Sequence, residues 1–452
     1  MFDKDIRICI IGAGPAGLSA GMYLEQKGYT NYTILERDDH VGGKCHSPEY
    51  NGKHYEMGAI MGVPSYYAVH DVEEFCGFTH DGPALDAEYA YPDGTRYDPM
   101  DDHGNPEEAE RILGIKNDFR KLCMLLLTKY EGYDVNGHRG VAEGRYEGFS
   151  ATADRMPVSG ENPNLKDLAL PFDEFLRMND IWLIRELWID AFTSFGYGFF
   201  DEIPAAYVLK YLDFETNSNF MRKDLWTWKD GTQSIWIRLN DKLRNPARLN
   251  CSITEVNRQG DKVIMTINGA QEEYDKVIIT APLQFMPEYF DATEEEKALF
   301  SKIEYERYDI LGYVTEPEDH PEKSVFIREH MESENYGRLM LFYRRWFEDK
   351  DQVLVTYSLR NHRNKPELSI EENRKNVLTD CATMGAPAKE VVNAKDWYYF
   401  PHIFTEDYAD GWYDKVEAMQ GQLNTYYAGE IMSFGDMDET AEYSRELVER
   451  FF

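Results

Sequence analysis

Arg7-Ile-Cys-Ile-Ile-Gly12-Ala-Gly14-Pro-Ala-Gly17 is the stretch of this chain that decides its fold. Its apolar first half, rich in isoleucine, predicts a buried parallel strand, and the G-x-G-x-x-G spacing that follows predicts a tight turn into a helix. Gly12 permits the turn, Gly14 lets the backbone approach a pyrophosphate, and Gly17 lets the helix pack closely on the strand. The phosphates of a dinucleotide would then lie at the N-terminus of that helix.

A second strand is expected at Tyr32–Leu35. The residue that follows it, Glu36, narrows the choice of dinucleotide. A carboxylate in that place accepts hydrogen bonds from both ribose hydroxyls of an adenosine and repels a 2′-phosphate. The glycine spacing by itself leaves NAD and FAD as alternatives. Gly42-Gly43-Lys44 adds a second glycine turn and a cation, which a longer cofactor lying extended across the sheet edge would need. The sequence therefore favours FAD.

The composition excludes several classes of partner. The chain has 452 residues, 42% of them hydrophobic, which is enough for a large core and two or three lobes. Its 82 acidic and 48 basic residues give a formal net charge of −34. Nucleic acids and anionic lipid surfaces are bound through Lys and Arg, so we expect neither as a partner. No apolar run reaches the roughly 18 residues of a membrane helix, and the N-terminus enters the first strand without a signal peptide, so we expect a cytoplasmic protein with no membrane span.

The cysteines and histidines do not indicate a metal site. The six cysteines are scattered without C-x-x-C spacing, and Cys9 falls in the expected first strand, so we expect reduced, buried thiols rather than disulfides. His46, His54, His70 and His80 lack the spacing of metal ligands. We therefore expect no metal.

Three further stretches are candidates for contact with a ligand. Residues 58–61 are small and apolar, so their backbone can lie close to a flat ring. Residues 192–200 form an aromatic run interrupted by Gly196 and Gly198, which suits either the wall of a binding cavity or a packing corner. Tyr427-Ala-Gly-Glu430 indicates a strand and a turn before a last helix, whose N-terminus can present amides to a pyrimidine carbonyl.

The remaining pattern predicts alternating helices and strands. Helical spacing covers 105–130, 171–178, 181–191, 370–382 and 438–450, and strands are expected at 252–256, 262–267, 273–280 and 352–358. Residues 91–94 indicate a turn between two short strands. The polar, glycine-rich segment 132–165 indicates a long loop, and loops of this length are usually lids or mobile segments.

Several of these motifs together resemble one superfamily. Gly12-x-Gly14-x-x-Gly17, Glu36-Arg37, Gly42-Gly43-Lys44 and Ala428-Gly429-Glu430 resemble the flavin amine oxidase superfamily, in which all of them hold FAD. Longer blocks resemble the bacterial FAD-dependent polyunsaturated fatty acid (linoleate) isomerases within it, at 33–37, 40–48, 55–65, 205–214, 397–402 and 427–435. These blocks span nearly the whole chain and are more specific than the glycine spacing.

The resemblance implies an α/β fold with a Rossmann-like FAD-binding domain, a helical substrate domain and a third α/β domain. The FAD-binding domain would comprise residues 1–85, 216–288 and 416–452. Residues 86–215 would form the mainly helical substrate or lid domain, and residues 289–415 the substrate-channel domain.

The resemblance also assigns site residues. The expected FAD contacts are Gly12, Gly14, Pro15, Ala16, Gly17, Glu36, Arg37, Gly43, Lys44, Gly58, Ala59, Ile60, Met61, Ile253, Gly429, Glu430, Phe434, Gly435, Asp436 and Met437. The expected substrate contacts are Phe195, Tyr197, Phe220, Trp397, Tyr398 and Tyr399. No side chain is expected to act as the catalyst, because the flavin carries the chemistry.

The chemistry implied by the resemblance is isomerisation without net oxidation. Flavin N5 would take hydride from the bis-allylic carbon of a polyunsaturated fatty acid and return it at the far end of the allylic cation, giving a conjugated diene. Such a reaction needs an apolar tunnel, aromatic faces and exclusion of water, and the sequence has no evident Ser-His-Asp arrangement or redox dithiol. A flavin amine or lipid oxidase or desaturase, and a flavoprotein that binds fatty acid without turnover, stay open as alternatives.

Two stretches depart from the family pattern. Asp86-Ala87-Glu88 stands where an arginine is expected near the mouth of the tunnel, and the loop 139–164 is longer than the family pattern. The anchor for a substrate carboxylate, the preferred chain length and the conjugated isomer formed are therefore left open.

Overall fold

The structure is a computed structural model that describes residues 3–130, 164–212, 214–258 and 260–452. Its strands are β1 Ile8–Ile11, β2 Tyr32–Leu35, β3 Glu49–Tyr50, β4 Lys53–His54, β5 Ala87–Ala90, β6 Arg96–Tyr97, β7 Ile253–Asn257, β8 Val263–Ile267, β9 Ala270–Tyr274, β10 Lys276–Ile279, β11 Glu304–Val314, β12 Ser324–Phe326, β13 Leu341–Arg344, β14 Leu354–Leu359, β15 Glu390–His402 and β16 Thr425–Tyr427. Its helices are α1 Pro15–Gln26, α2 Tyr67–Cys76, α3 Pro106–Leu127, α4 Leu165–Leu168, α5 Phe172–Met178, α6 Ile184–Phe192, α7 Ala205–Tyr211, α8 Phe214–Arg222, α9 Gln233–Lys242, α10 Glu294–Phe300, α11 Ile370–Thr383, α12 Thr405–Ala409, α13 Trp412–Ala418 and α14 Met437–Phe451. Most of the loop expected over 132–165 lies outside the described residues.

The N-terminal strand lies inside a parallel sheet of order β16-β10-β1-β2. β1 is buried along its whole length and pairs with β2 on one side and with β10 on the other, while β16 extends the sheet through β10. Because these strands are parallel, their carboxyl ends meet at one edge, where Ile11, Leu35, Ile279 and Tyr427 lie side by side. The expected strands at β1 and β2, and the helix between them, are confirmed.

The single strand expected over 273–280 is in fact two strands, so that prediction was wrong. β9 ends at Tyr274 and completes an antiparallel sheet of order β7-β8-β9, while β10 begins at Lys276 in the parallel sheet. The chain changes sheet at Asp275, whose carboxylate accepts a hydrogen bond from the Arg7 amide at 2.7 Å and whose own amide donates to the Arg7 carbonyl at 2.8 Å. No glycine or proline marks this break, so the strand pattern runs through it in the sequence.

A seven-stranded mixed sheet forms the second large layer, in the order β15-β11-β14-β13-β12-β5-β6. The long strand β11 pairs antiparallel with both β14 and β15. The expected turn at 91–94 lies between β5 and β6, and the helices expected from the apolar spacing correspond to α3, α5, α6, α11 and α14. These local predictions are confirmed within a few residues.

A buried ion cluster around Arg258 ties the smaller sheet to its surroundings. The Arg258 side chain is 0% exposed and donates to Asp291 at 2.7 Å and to both oxygens of Glu296, at 2.6 and 2.8 Å. Tyr427 at the end of β16 donates to the same glutamate at 2.5 Å. Burial alone would raise the pKa of Glu296, but the hydrogen bonds from Arg258 and Tyr427 hold that pKa below its usual value.

The described ranges contain no helix that is both long and apolar enough to cross a membrane. They also contain no group of three or more His, Cys, Asp or Glu side chains arranged to hold a metal ion. All six cysteines are free thiols, and Cys9 is fully buried in β1.

Removing the Arg258 guanidinium should destabilise the fold far more than removing an equivalent surface guanidinium. We expect Arg258→Met to lower the free energy of unfolding by roughly 3–5 kcal/mol, because Glu296 would be left as an uncompensated buried charge. Arg248 is the matched control, since it also binds both oxygens of a carboxylate, on Glu272, but is 45% exposed. We expect Arg248→Met to cost less than about 1 kcal/mol. Urea unfolding followed by tryptophan fluorescence measures both, and equal losses would contradict the assignment.

Candidate functional site

Two positions in the turn after β1, Gly12 and Gly17, leave no room for a side chain. A Cβ on Gly17 would lie 1.9 Å from the Gly12 carbonyl oxygen, so α1 can approach the strand only with glycine at this position. Gly12 has a φ of +108°, which favours glycine, and its own Cβ would lie 2.6 Å from the Thr280 hydroxyl. Gly14 is the residue before α1. The expected glycine turn is therefore present, with its backbone exposed to the edge of the sheet.

The first turn of α1 offers free backbone donors to an anion. Pro15 and Ala16 begin the helix, whose first turn has no acidic residue and, among the described residues, no side-chain cap. α14 differs, since Asp436 precedes its first residue, Met437, and accepts a hydrogen bond from the Glu439 amide at 2.7 Å. Burial, with the nearby Glu439 carboxylate, raises the pKa of Asp436 well above its ordinary value. The uncapped N-terminus of α1 thus matches the phosphate position expected from the sequence.

Glu36 lies beside the first glycine turn. Its carboxylate accepts hydrogen bonds from the Ala13 amide at 2.8 Å and from the Asp38 amide at 3.0 Å. The neighbouring Arg37 side chain is 84% exposed, with its Nε 3.7 Å from the Asp38 carboxylate. Ile253, also expected at the cofactor, is half-buried at the start of β7. Glu36 is therefore held at the site by backbone amides, while Arg37 extends into solvent.

The second glycine turn packs on the first. The Gly42 amide donates to the Ala13 carbonyl at 2.9 Å, and a Cβ on Gly43 would lie 3.2 Å from the Cα of Gly14. Lys44 then places its ammonium 2.5 Å from a carboxylate oxygen of Glu430. This ion pair joins the N-terminal turns to the turn that follows β16.

The segment 58–61 is held against the second turn by close backbone contact. A Cβ on Gly58 would lie 1.7 Å from the Lys44 carbonyl oxygen, and the Ala59 amide donates to the same carbonyl at 3.2 Å. The Ala59 carbonyl accepts a hydrogen bond from the Thr232 hydroxyl at 3.0 Å. The next residue in the segment is buried and the last is half-buried. The segment is fixed from both sides rather than free to move as a surface loop.

A buried ion pair that the sequence analysis did not predict is linked to this segment through Thr232. Glu56 is fully buried and accepts hydrogen bonds from Arg345 at 2.9 Å, from the Ser47 hydroxyl at 2.5 Å and from the Thr232 amide at 3.0 Å. Arg345 also donates to the carbonyl of Trp228. Burial raises the pKa of Glu56, and the Arg345 guanidinium opposes that rise. The sequence offered no signal for this pair, because its members lie 289 residues apart.

The end of β16 also approaches its neighbour without a side chain between them. Gly429 has a φ of +87°, and a Cβ there would lie 2.7 Å from the Thr280 carbonyl oxygen at the end of β10. Further on, a Cβ on Gly435 would lie 3.0 Å from the Phe400 ring. The turns expected to hold the cofactor, from both ends of the chain, are thus brought to one edge of the parallel sheet.

An aromatic cluster, made of Tyr197, Tyr211, Tyr399 and Phe434, begins beside that edge. The Tyr197 ring lies 4.7 Å from Phe434 and 5.7 Å from Tyr399, and Tyr211 stacks on Phe434 at 5.0 Å with an interplanar angle of 10°. Lys44 lies 5.1 Å from the Tyr399 ring. All four rings are buried, and burial raises the pKa of the three phenols, so their hydroxyls stay neutral.

The aromatic cluster reaches the surface at Phe195 and Phe220. Their rings lie 6.4 Å apart, and the Phe220 ring lies 6.3 Å from Tyr211. Both phenylalanines are only half-buried, in contrast to the cluster itself. This pair therefore forms the border between the buried rings and solvent.

The three aromatic residues expected on β15 do not share one environment. The Trp397 indole donates to the Met57 carbonyl at 2.8 Å, and Tyr399 belongs to the aromatic cluster. Tyr398 is 50% exposed and packs under the Arg307 guanidinium, which lies 3.8 Å from its ring centre. Because alternate residues of a strand face opposite sides, the structure brings Tyr399 to the cluster and leaves Tyr398 outside it.

The glycines in the aromatic run 192–200 make room for residues that the sequence analysis missed. A Cβ on Gly196 would lie 2.8 Å from the Tyr308 ring, and a Cβ on Gly198 would lie 2.7 Å from a Glu306 carboxylate oxygen. The run is thus both a packing corner against β11 and, through Tyr197, a part of the aromatic cluster. Tyr211 and Phe400 also went unnominated, although both fall within sequence blocks quoted above.

Comparison with known proteins agrees with this architecture. The family described as flavin containing amine oxidoreductase matches residues 15–440. The crystal structure of a CLA-producing fatty acid isomerase from P. acnes is 46% identical, covers 100% of both chains and superposes with a TM-score of 0.90. A polyenoic fatty acid isomerase from Ptilota filicina is 21% identical over 492 residues, covering 100% of this chain and 96% of its own length.

More distant structures share the fold. A putrescine oxidase solved with putrescine bound is 16% identical, covers 99% of this chain and 98% of its own, and has a TM-score of 0.68. The expected α/β fold and the resemblance to the flavin amine oxidase superfamily are confirmed. The chain belongs to the flavin containing amine oxidoreductase family.

Proposed function

We propose that the chain is an FAD-dependent isomerase that moves a double bond of a polyunsaturated fatty acid, such as linoleate, into conjugation with its neighbour. The observation that carries the proposal is the 46% identity, over the full length of both chains, to a CLA-producing fatty acid isomerase. The buried aromatic cluster supplies the apolar surface that such a substrate requires. No external oxidant is needed, because a C–H bond is broken at one carbon and another is formed at the far end of the same allylic system.

FAD is the cofactor, and the residues at the sheet edge fit it. We assign the pyrophosphate to the uncapped amides of α1. We assign the adenosine ribose to the Glu36 carboxylate, which the Ala13 amide holds beside the glycine turn. The turn at Gly429 and Glu430 would meet the flavin ring. These parts come from residues 1–85, 216–288 and 416–452, which we propose as one discontinuous FAD-binding domain. When bound, FAD supplies the hydride-accepting and hydride-donating chemistry.

The aromatic cluster would hold the substrate and stabilise its cation. Removal of hydride leaves a delocalised positive charge, which the π-faces of Tyr197 and Tyr399 can attract electrostatically. The phenols remain neutral because burial raises their pKa, so neither acts as an anionic base. Phe195 and Phe220, at the border with solvent, would limit water entry. We propose these residues as the substrate wall, with Trp397 beside it.

The carboxyl groups near the cation matter for the product. A base would remove a proton from the allylic cation and divert it to a triene. Asp436, which caps α14, is the buried carboxyl closest in sequence to Phe434 of the cluster. Burial raises its pKa and favours the protonated carboxyl, which cannot accept that proton. A protonated Asp436 would therefore favour return of hydride over loss of a proton.

The first test is turnover of linoleate under two atmospheres. Purified, FAD-loaded protein is incubated with linoleate aerobically and anaerobically, while absorbance of the conjugated diene and release of peroxide are recorded. We expect equal diene formation in both and no peroxide, because the reaction has no net electron transfer. Peroxide with no diene would establish an oxidase instead. Binding of linoleate without diene or flavin reduction would establish a flavoprotein that binds fatty acid without turnover.

Adjacent tyrosines on β15 allow a matched test of the substrate wall. We expect Tyr399→Leu to lower kcat for diene formation by about tenfold or more, because a face that stabilises the cation is lost, at an order of 1–2 kcal/mol. Tyr398→Leu, on the opposite face of the strand, should stay within about twofold of the parent. Steady-state kinetics with linoleate measures both. Equal effects of the two substitutions would contradict the assigned wall.

Adjacent residues after β2 allow a matched test of the ribose assignment. We expect Glu36→Leu to weaken FAD binding by about 10- to 100-fold, because charge-assisted hydrogen bonds to the ribose would be lost. Arg37→Leu should leave binding within about twofold, since the Arg37 side chain is largely in solvent. Titration of the apoprotein with FAD, followed by flavin fluorescence, gives both dissociation constants. A larger effect at Arg37 than at Glu36 would refute the assignment.

A further inference from the structure

Two ion pairs tie α6 to the segment 328–332, which follows β12 in the chain. In the first, the inner pair, Arg328 donates from Nε to both carboxylate oxygens of Asp190, at 2.8 and 3.0 Å. In the second, the outer pair, Arg185 donates to the two oxygens of Glu332, at 2.5 and 2.7 Å. Each of the two elements supplies one arginine and one carboxylate, so the contacts are reciprocal.

A cavity beside the two pairs limits how far packing can hold these elements together. Its volume is about 430 Å³, and Arg185, Arg328 and Glu332 are among the residues that line it. Side chains on opposite walls of a cavity do not touch, so dispersion contacts cannot tie α6 to the segment 328–332 on that side. The ion pairs therefore provide the connection there.

The inner pair is the more enclosed of the two. The side chains of Arg328 and Asp190 are 18% and 12% exposed, whereas that of Glu332 in the outer pair is 40% exposed. The Arg328 guanidinium also lies 4.6 Å from the centre of the Tyr89 ring. Removing one partner of an enclosed pair leaves the other charge without compensation, so the inner pair should be the harder one to open.

Asp190 connects the inner pair to the aromatic cluster. It lies two residues before Phe192, the last residue of α6, and its carbonyl accepts a hydrogen bond from the Ser194 hydroxyl at 2.5 Å. The Phe192 ring lies 5.4 Å from the Tyr197 ring, and the Tyr197 amide donates to the Phe192 carbonyl at 3.4 Å. The last turn of α6 thus carries Tyr197, and Arg328 holds that turn through the Asp190 carboxylate.

The outer pair lies at the other end of the helix. Arg185 is the second residue of α6 and precedes Phe192 by seven residues, which is about 10 Å along the helix axis. Its guanidinium also donates to Asp173 on α5 at 2.8 Å. Loss of the Glu332 carboxylate would therefore leave Arg185 bound to α5, far from the aromatic cluster. The outer pair is a matched control for the inner one.

We propose that Arg328 and Asp190 are positioning residues, which hold the last turn of α6 so that the Tyr197 ring keeps its place in the substrate wall. The outer pair fastens the same two elements without setting the position of that ring. A ring that stabilises a cation must stay close to the reacting carbons, and small displacements of such groups are costly to the rate. The effect on turnover rests on the proposed function, whereas the positioning of the segment does not.

Hydrogen–deuterium exchange of the FAD-loaded protein tests the positioning without reference to turnover. Asp190→Asn is compared with Glu332→Gln, since each change replaces a carboxylate by its amide and removes one negative charge. We expect the amides of 192–200 to exchange at least about tenfold faster in Asp190→Asn, because the last turn of α6 opens more often. In Glu332→Gln they should stay within about twofold of the parent. Unchanged exchange in Asp190→Asn, or equal increases in both variants, would overturn the proposal.

Steady-state kinetics with linoleate tests the consequence for the reaction. We expect Asp190→Asn to lower kcat by about tenfold with KM within about twofold, because a displaced ring affects the cation more than the bound substrate. Adding Arg328→Met to Asp190→Asn should lower kcat by no more than a further twofold or so, since both changes remove one contact. Glu332→Gln should keep kcat within about twofold of the parent.

The two measurements separate the parts of the proposal. Losses of kcat that multiply in the double variant, or an equal loss in Glu332→Gln, would overturn the role of the inner pair in the reaction. If the parent forms no diene, the proposed function fails, and the exchange rates still decide the positioning. If Asp190→Asn does not fold, Arg328→Lys takes its place with the same expected results, because lysine keeps the charge but lacks the planar fork that binds both oxygens.

Discussion

The rest of the structure depends on one close approach, between α1 and the end of β1. Gly17 can lie against the Gly12 carbonyl only because neither residue has a side chain there. That contact sets the N-terminus of α1 over the edge of the parallel sheet. A similar contact, between Gly429 and Thr280, brings the end of β16 to the same edge. The site assigned to FAD is therefore shaped chiefly by backbone, which explains why its glycines outnumber its charged side chains.

Local patterns in the sequence were sufficient to predict the strands and the helix that frame this site. β1, α1 and β2 follow from apolar runs and glycine spacing within the first 35 residues; α1 begins in the expected glycine turn, and β2 has its expected limits. Features that depend on distant partners were not accessible in the same way. Asp275 lies between β9 and β10 and is held there by its contacts with Arg7, and Tyr398 faces solvent because of how β15 pairs with β11. Neither arrangement has a signature in the neighbouring residues.

The buried carboxylates illustrate the same limit more sharply. The net charge of −34 indicates an acidic surface, yet Glu56 and Glu296 are buried and each is bound by an arginine. Glu202 and Glu306 are buried as well, but no arginine side chain within the described ranges binds either of them. The composition does not show which acidic residues are at the surface, which are buried beside an arginine and which are buried without one. Contacts between residues far apart in the chain decide this. Their energetic consequences differ, since a paired buried charge supports the fold while an unpaired one makes it sensitive to protonation.

The ion pair between Lys44 and Glu430 has a consequence for how the protein matures. The two partners lie 386 residues apart, so synthesis at about 5–20 residues per second separates them by tens of seconds. Throughout that interval the nascent chain has its first glycine turns but lacks β16, α14 and the turn at Gly429. The edge of the sheet stays incomplete until β16 and the turn at Gly429 have been synthesised. We therefore expect the flavin to be loaded late, and a chain that terminates before Gly429 to retain it poorly.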